Sequence, residues 1–228
     1  MKLAIVTAHA GAECIWDAMK SWGIWTHAYV KDGIDGMLRA YQEGFEDTAD
    51  YDVIAFLHDD TIIHDPDWVQ RALKEFEDPK VGLVGFGGAT GWGDPAIYQK
   101  PYEYQQLARS NFLSNMTDAE NHGKRFTGSC DVAVLDGFAL IFRRTFLEEM
   151  GGWKLDPSIS YIGYDYAACL AAHKLGWKIR LVGVACQHLG GQTFVKLGIG
   201  KDPKHWQQYL DAHATIYQQG RGILPVRV

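Results

Sequence analysis

The chain has 228 residues, 47% of them apolar, and a formal net charge of −6. That is enough length and apolar content for one substantial core, and it lacks the surplus of Lys and Arg that a nucleic-acid surface requires. No apolar run reaches the roughly 20 residues that span a bilayer. Cys14, Cys130, Cys169 and Cys186 stand far apart with no C-x-x-C pair, the usage of reduced thiols in a cytoplasmic protein rather than a disulfide or zinc-thiolate scaffold.

The opening MKLAIVTAHAGA imitates a secretory leader, since Ala8-His9-Ala10 resembles a cleavage site. Its apolar core is only LAIV after one Lys, so a first strand over 2–7 is the better reading. Helix over 11–21, strand over 24–30, helix over 34–48 and strand over 52–58 follow. DPDWVQRALKEFE then reads as a helix with Asp65 as N-cap and Pro66 at its first position, and VGLVGFG (81–87) as the next strand. This alternation predicts βαβ units and a mainly parallel α/β sheet flanked by helices, in one domain over 1–228.

Residues 88–129 break the rhythm with Gly, aromatic and polar groups, and one helix is expected over 102–113. Such an insertion is commonly a binding loop or lid. Regular patterning returns with a strand over 131–144, the short helix TFLEEM, a helix over 164–176, a strand over 178–188 and a C-terminal helix over 202–219.

Ligands of open parallel sheets gather at the carboxyl ends of the strands. Polar groups stand at those ends here: Thr7 to His9, Lys31-Asp32, His58-Asp59-Asp60 and His188. The chain lacks both a G-x-G-x-x-G after its first strand and a G-x-x-x-x-G-K-[ST], so a bound nucleotide needs another handle. Carboxylates with an imidazole suit Mn²⁺ or Mg²⁺, and a metal can bridge protein and diphosphate. The plainer alternative makes Asp59 and Asp60 solvated turn residues.

The segment YDVIAFLHDDTIIHDPDW resembles the D-x-D segment of GT-A fold glycosyltransferases, particularly the family 2-like inverting enzymes. VLDGFALIFRRTFLEEMGGWKLD (134–156) is similar to their glycine-bearing strand, Arg-containing turn and G-G-F/W-D stretch. YIGYDYAACLAAHKLGWKIRLVG (161–183) is similar to their E-D segment and following helix, and VACQHLGG to the strand end that carries a metal-binding His. The resemblance covers most of the chain outside 88–129.

It implies a GT-A fold with a nucleotide-binding half (1–87), an acceptor-binding and catalytic half (88–201) and a C-terminal helix and tail (202–228). It also implies metal-dependent, inverting transfer of a sugar from a nucleoside-diphosphate sugar, by default a UDP-sugar, to an acceptor hydroxyl. The missing Q-x-x-R-W favours a single transfer over processive synthesis. Asp165 falls at the catalytic base, Asp60 and His188 at the metal, and Asp136 and Gly137 beside the donor sugar. Thr7, His9, Asp32, His58 and Asp59 complete the donor set, Trp92 and Tyr164 are acceptor-side candidates, and Lys196, Lys201 and Lys204 form a candidate flap over the diphosphate. Two departures stand out: His58 occupies the first acidic position of D-x-D, and Tyr164 replaces the acid before the catalytic Asp. A metal-dependent phosphoesterase and a non-catalytic sugar-nucleotide binder remain the alternatives.

Overall fold

The computed structural model describes residues 1–9, 11–23, 27–33, 36–93, 112–117, 123–189 and 202–228. Fifteen strands and six helices are named among these. The strands are β1 (Leu3–His9), β2 (Ala28–Asp32), β3 (Val53–Leu57), β4 (Thr61–Ile63), β5 (Val81–Gly85), β6 (Gly87–Ala89), β7 (Gly91–Trp92), β8 (Phe112–Ser114), β9 (Lys124–Arg125), β10 (Ser129–Asp131), β11 (Val134–Leu135), β12 (Ala139–Arg143), β13 (Lys178–Val182), β14 (Cys186–His188) and β15 (Val226–Arg227). The helices are α1 (Ile15–Trp22), α2 (Met37–Asp47), α3 (Trp68–Glu75), α4 (Arg144–Met150), α5 (Tyr164–Leu175) and α6 (Pro203–Gln219).

A seven-stranded sheet in the order β10-β13-β5-β12-β3-β1-β2 forms the centre. β1, β2 and β3 run parallel, as do β5 and β13, while β12 is antiparallel to both β3 and β5 and β10 is antiparallel to β13. Every residue of β3, VIAFL, is buried, because helices cover both faces and no polar side is needed. Its side chains alternate between two cores: Ile54 and Phe56 join the one packed with α2, α4 and α5, and Val53, Ala55 and Leu57 join the one packed with α1 and α3.

Several expected elements change, the strand over 81–87 among them: it is split at Phe86 into β5 of the main sheet and β6 of a four-stranded sheet. Residues 102–111 lie outside the described residues, and Phe112 and Leu113 belong to strand β8 rather than the end of a helix. The run 131–144 is split by Asp136-Gly137-Phe138, so β11 pairs with β6 while β12 enters the main sheet. The run 178–188 is split after Val182, and β14 leaves the main sheet to pair with β4. Near α3, Asp65 Oδ1 accepts from Asp67 N at 3.0 Å, and the helix starts only at Trp68.

The Arg-containing turn serves the scaffold. Arg143 donates to the carbonyls of Val81, Phe76 and Asp78, and Arg144 to those of Tyr51 and Thr48. Because β12 is antiparallel to β3, this turn lies at the end of the sheet opposite His58.

Gly44 brings α2 against β1. A Cβ there would lie 2.3 Å from Val6 Cγ1, inside van der Waals contact. Alanine is intrinsically the better helix residue by about 1 kcal/mol, yet Gly44→Ala is expected to destabilise the fold by about 1–3 kcal/mol, the cost of overpacking a close-packed interface. Urea denaturation measures this; a stabilised variant would show that the interface can relax.

Candidate active site

The site is built around the turn that joins β3 to β4. Thr61 N donates to His58 O at 3.1 Å, closing the turn that carries Asp59 and Asp60. Phe138 O, at the start of β12, accepts from His58 N at 3.0 Å and from Thr61 Oγ1 at 3.3 Å. Trp22 Nε1 donates to Thr61 O at 2.9 Å. The turn is therefore tied to a neighbouring strand and to α1, which holds its side chains in place.

The β4–β14 ladder brings His188 to this turn by setting it opposite Thr61. Leu189 N then donates to Asp60 O at 3.3 Å, and the Phe138 ring stacks on the His188 imidazole with centroids 4.9 Å apart and planes 17° from parallel. His188 thus reaches the turn from a short separate ladder rather than from the end of a central strand.

His58, Asp60 and His188 converge, each offering a ligand atom, with the three atoms within 4.8 Å of one another. His58 Nδ1 lies 3.2 Å from His188 Nε2, and that nitrogen lies 3.3 Å from Asp60 Oδ1. Neighbouring ligands on one transition-metal ion are about 3 Å apart at ordinary bond lengths, so these separations match edges of a coordination polyhedron. Asp60 Oδ1 is buried and has no hydrogen-bond partner beyond its 3.3 Å approach to His188 Nε2. An unsatisfied buried carboxylate oxygen is costly, and a cation would satisfy it. The residues therefore fit a divalent metal.

Electrostatics agree with that fit. Burial, followed by the neighbouring His188, pushes His58 down to about 4, so its imidazole is neutral near pH 7, as ligation requires. Burial alone would raise Asp60, but contact with His188 and the nearby His58 outweigh it and hold the carboxyl below its usual range.

On its other side, His58 Nε2 lies 2.6 Å from the hydroxyl of Tyr164, the first residue of α5. Tyr164 is buried and its hydroxyl faces His58. Gly137 makes room for it, since a Cβ there would lie 2.0 Å from that hydroxyl oxygen. Asp165 follows in the first helical turn and accepts from Tyr166 N at 2.9 Å. Burial, then the Asp136 charge, pushes Asp165 up to about 7. Asp136 is anchored through its N–H to Gly87 O at 2.9 Å.

The remaining candidates divide between rim and interior. Asp59 Oδ2 lies 3.0 Å from His9 Nδ1, and His9 pairs in register with Asp32 on β2, so these three share the rim beside the triad. Thr7 is sealed within β1. Trp92 is also taken inward, its indole stacked on Tyr166 at 5.9 Å while β7 pairs with β15, so no face is presented to a sugar. Lys196 and Lys201 lie outside the described residues, and Lys204 sits in the first turn of α6. Sequence reasoning missed Phe138, whose only signal was the D-G-F interruption of an apolar run.

Solved structures share this architecture. Glucosyl-3-phosphoglycerate synthase from Mycobacterium tuberculosis, in complex with Mn²⁺, UDP-glucose and phosphoglyceric acid, matches with a TM-score of 0.56 at 13% identity, over 93% of this chain and 80% of that one. A mannosyltransferase from Pyrobaculum calidifontis, in complex with GDP-Man and Mn²⁺, matches with a TM-score of 0.50 at 16% identity, over 94% and 69%. The fold is that of the GT-A glycosyltransferases. Residues 28–196 match the family described as Glycosyltransferase like family, and the chain belongs to that family. A separate local likeness, 36% identity over 69 residues, relates 30% of this chain to a phosphate acyltransferase of Nitratidesulfovibrio vulgaris (strain DP4). It spans 19% of that protein's length. No helix among the described residues is long and apolar enough to cross a membrane.

Proposed function

We propose that this glycosyltransferase is metal-dependent and inverting, and moves a sugar from a nucleoside-diphosphate sugar, by default a UDP-sugar, to an acceptor hydroxyl in a single transfer. The observation that carries this reading is the convergence of the His58, Asp60 and His188 ligand atoms, which Tyr164, the residue before Asp165 at the start of α5, touches through His58. Complexes of the same fold with Mn²⁺ and a nucleotide sugar support it. Two imidazoles and one carboxylate favour Mn²⁺ over Mg²⁺, which prefers all-oxygen sites.

Asp60, His188 and His58 would hold the ion, which when bound neutralises charge on the departing diphosphate. Asp165 takes the proton from the acceptor hydroxyl, and its raised pKa suits a base working near neutrality. Asp136 and Gly137 border the donor sugar, and Asp59, His9 and Asp32 face the nucleotide. Four free thiols support a reducing, cytoplasmic setting. Acceptor contacts are assigned to the 88–129 insertion.

The test is proton NMR of the Mn²⁺-loaded protein with UDP-, GDP- and dTDP-sugars and a mixture of hydroxyl acceptors. Release of the nucleoside diphosphate with a product of opposite anomeric configuration is expected. A product of retained configuration would overturn the single-displacement mechanism.

A further inference from the structure

We infer that the Tyr164 hydroxyl fixes the tautomer of His58 and so makes this histidine a third metal ligand beside Asp60 and His188, a positioning role that rests on the metal-site reading above. His58 and Tyr164 are two of the departures from the pattern the sequence resembles. They meet through the 2.6 Å contact between His58 Nε2 and the hydroxyl, so the two departures form one interaction.

That hydroxyl is firmly placed. Tyr164 is 4% exposed, its ring lies 6.2 Å from that of Tyr41 and 6.0 Å from that of Trp153, and Gly137 supplies the space its oxygen fills. The backbone of His58 is held by its N–H bond to Phe138 O at 3.0 Å. The imidazole is fixed at both ends.

A neutral imidazole carries one N–H and one lone pair, and a phenolic oxygen can accept as well as donate. With the proton on Nε2 and donated to Tyr164, the Nδ1 lone pair points toward His188 Nε2, 3.2 Å away. The two imidazoles then turn lone pairs toward the same space, bordered by the unsatisfied Asp60 Oδ1. With the proton on Nδ1 instead, His58 donates to His188 Nε2, and one hydrogen bond occupies both ligand atoms. The tautomer therefore decides whether the cluster can take a metal; the competent form needs an acceptor at Nε2, and the Tyr164 oxygen, able to accept, stands there at 2.6 Å, in the place that outer partners hold beside metal-bound histidines.

The test is calorimetric titration of the full chain with Mn²⁺ alone, for wild type, Tyr164→Phe, His58→Ala, their double variant and Asp60→Ala. Pulsed EPR of the Mn²⁺-loaded proteins counts the coupled imidazole nitrogens. Tyr164→Phe is expected to weaken Mn²⁺ binding by about 10–100-fold and to reduce the imidazole signature from two rings to one. The double variant is expected to bind no more weakly than His58→Ala, because both changes remove the same ligand. Should Tyr164→Phe prove insoluble, Gly137→Ala gives the second reading, since it displaces the hydroxyl while leaving residue 164 a tyrosine. Unchanged affinity and two coupled rings in Tyr164→Phe, with binding lost in Asp60→Ala, would overturn the positioning role alone. Unchanged binding in Asp60→Ala, or none in wild type, would overturn the metal-site reading with it.

Discussion

Asp165→Asn is expected to retain Mn²⁺ and nucleotide binding while sugar transfer falls by about 10²–10⁴-fold, the usual contribution of a positioned general base. The amide keeps an oxygen that can accept from Tyr166 N, as Asp165 Oδ1 does at 2.9 Å, so the start of α5 keeps its geometry and only the proton acceptor is lost. Wild-type kcat/KM is expected to rise with pH along a limb set by Asp165, which burial and the Asp136 charge push up to about 7. A divalent cation at the neighbouring triad draws that limb toward lower pH, and Asp165→Asn removes it.

The same shift has a thermodynamic sign. Asp165 binds its proton more tightly in the folded chain, so stability falls as pH rises from the ordinary value of 3.8 through about 7. Asp165→Asn is therefore expected to melt at higher temperature than wild type at pH 8 and to differ little near pH 3. A variant that loses transfer yet gains stability at high pH is the signature of a buried carboxylate kept for chemistry. Equal turnover by Asp165→Asn would remove it from the base role.

Asp60→Ala is expected to have the largest effect on metal binding. Asp60 is the one carboxylate of the triad, and without it two neutral imidazoles remain. Loss of an outer partner already costs about 10–100-fold in metal affinity, so loss of the charged ligand is expected to cost at least about 100-fold. Nucleotide affinity in the presence of Mn²⁺ is expected to drop to its metal-free level. The fold is expected to survive, because the turn stays tied through its backbone, from Thr61 N to His58 O and from Leu189 N to Asp60 O. A circular dichroism spectrum matching wild type, alongside a flat Mn²⁺ isotherm, checks both points.

Much of the fold was legible because the signals are local. The apolar run ending in His58 is a strand buried on both faces, and the spacing in 164–176 anticipated α5 to within a residue. The strand breaks were not legible: 131–144 and 178–188 each read as one continuous apolar run, and only pairing with β6 and β4 separates β11 from β12 and β14 from β13. In the candidate site, the convergence of Asp60 and His188 was anticipated from the polar groups at strand ends. Thr7 and Trp92 could not be excluded by the same reasoning, since position near a strand end does not say whether a side chain turns toward solvent or core. The His58–Tyr164 contact joins residues far apart in the chain, and no sequence period encodes it.

The central claim, a metal-dependent nucleotide-sugar site at the His58-Asp59-Asp60 rim, is tested most directly by calorimetric titration of the wild-type chain with UDP, GDP, CDP and dTDP, each with and without Mn²⁺. Tight binding of one of the four only when Mn²⁺ is present is the expected result, and it would name the donor nucleotide. Binding that ignores the metal, or no binding of any of the four, would contradict it.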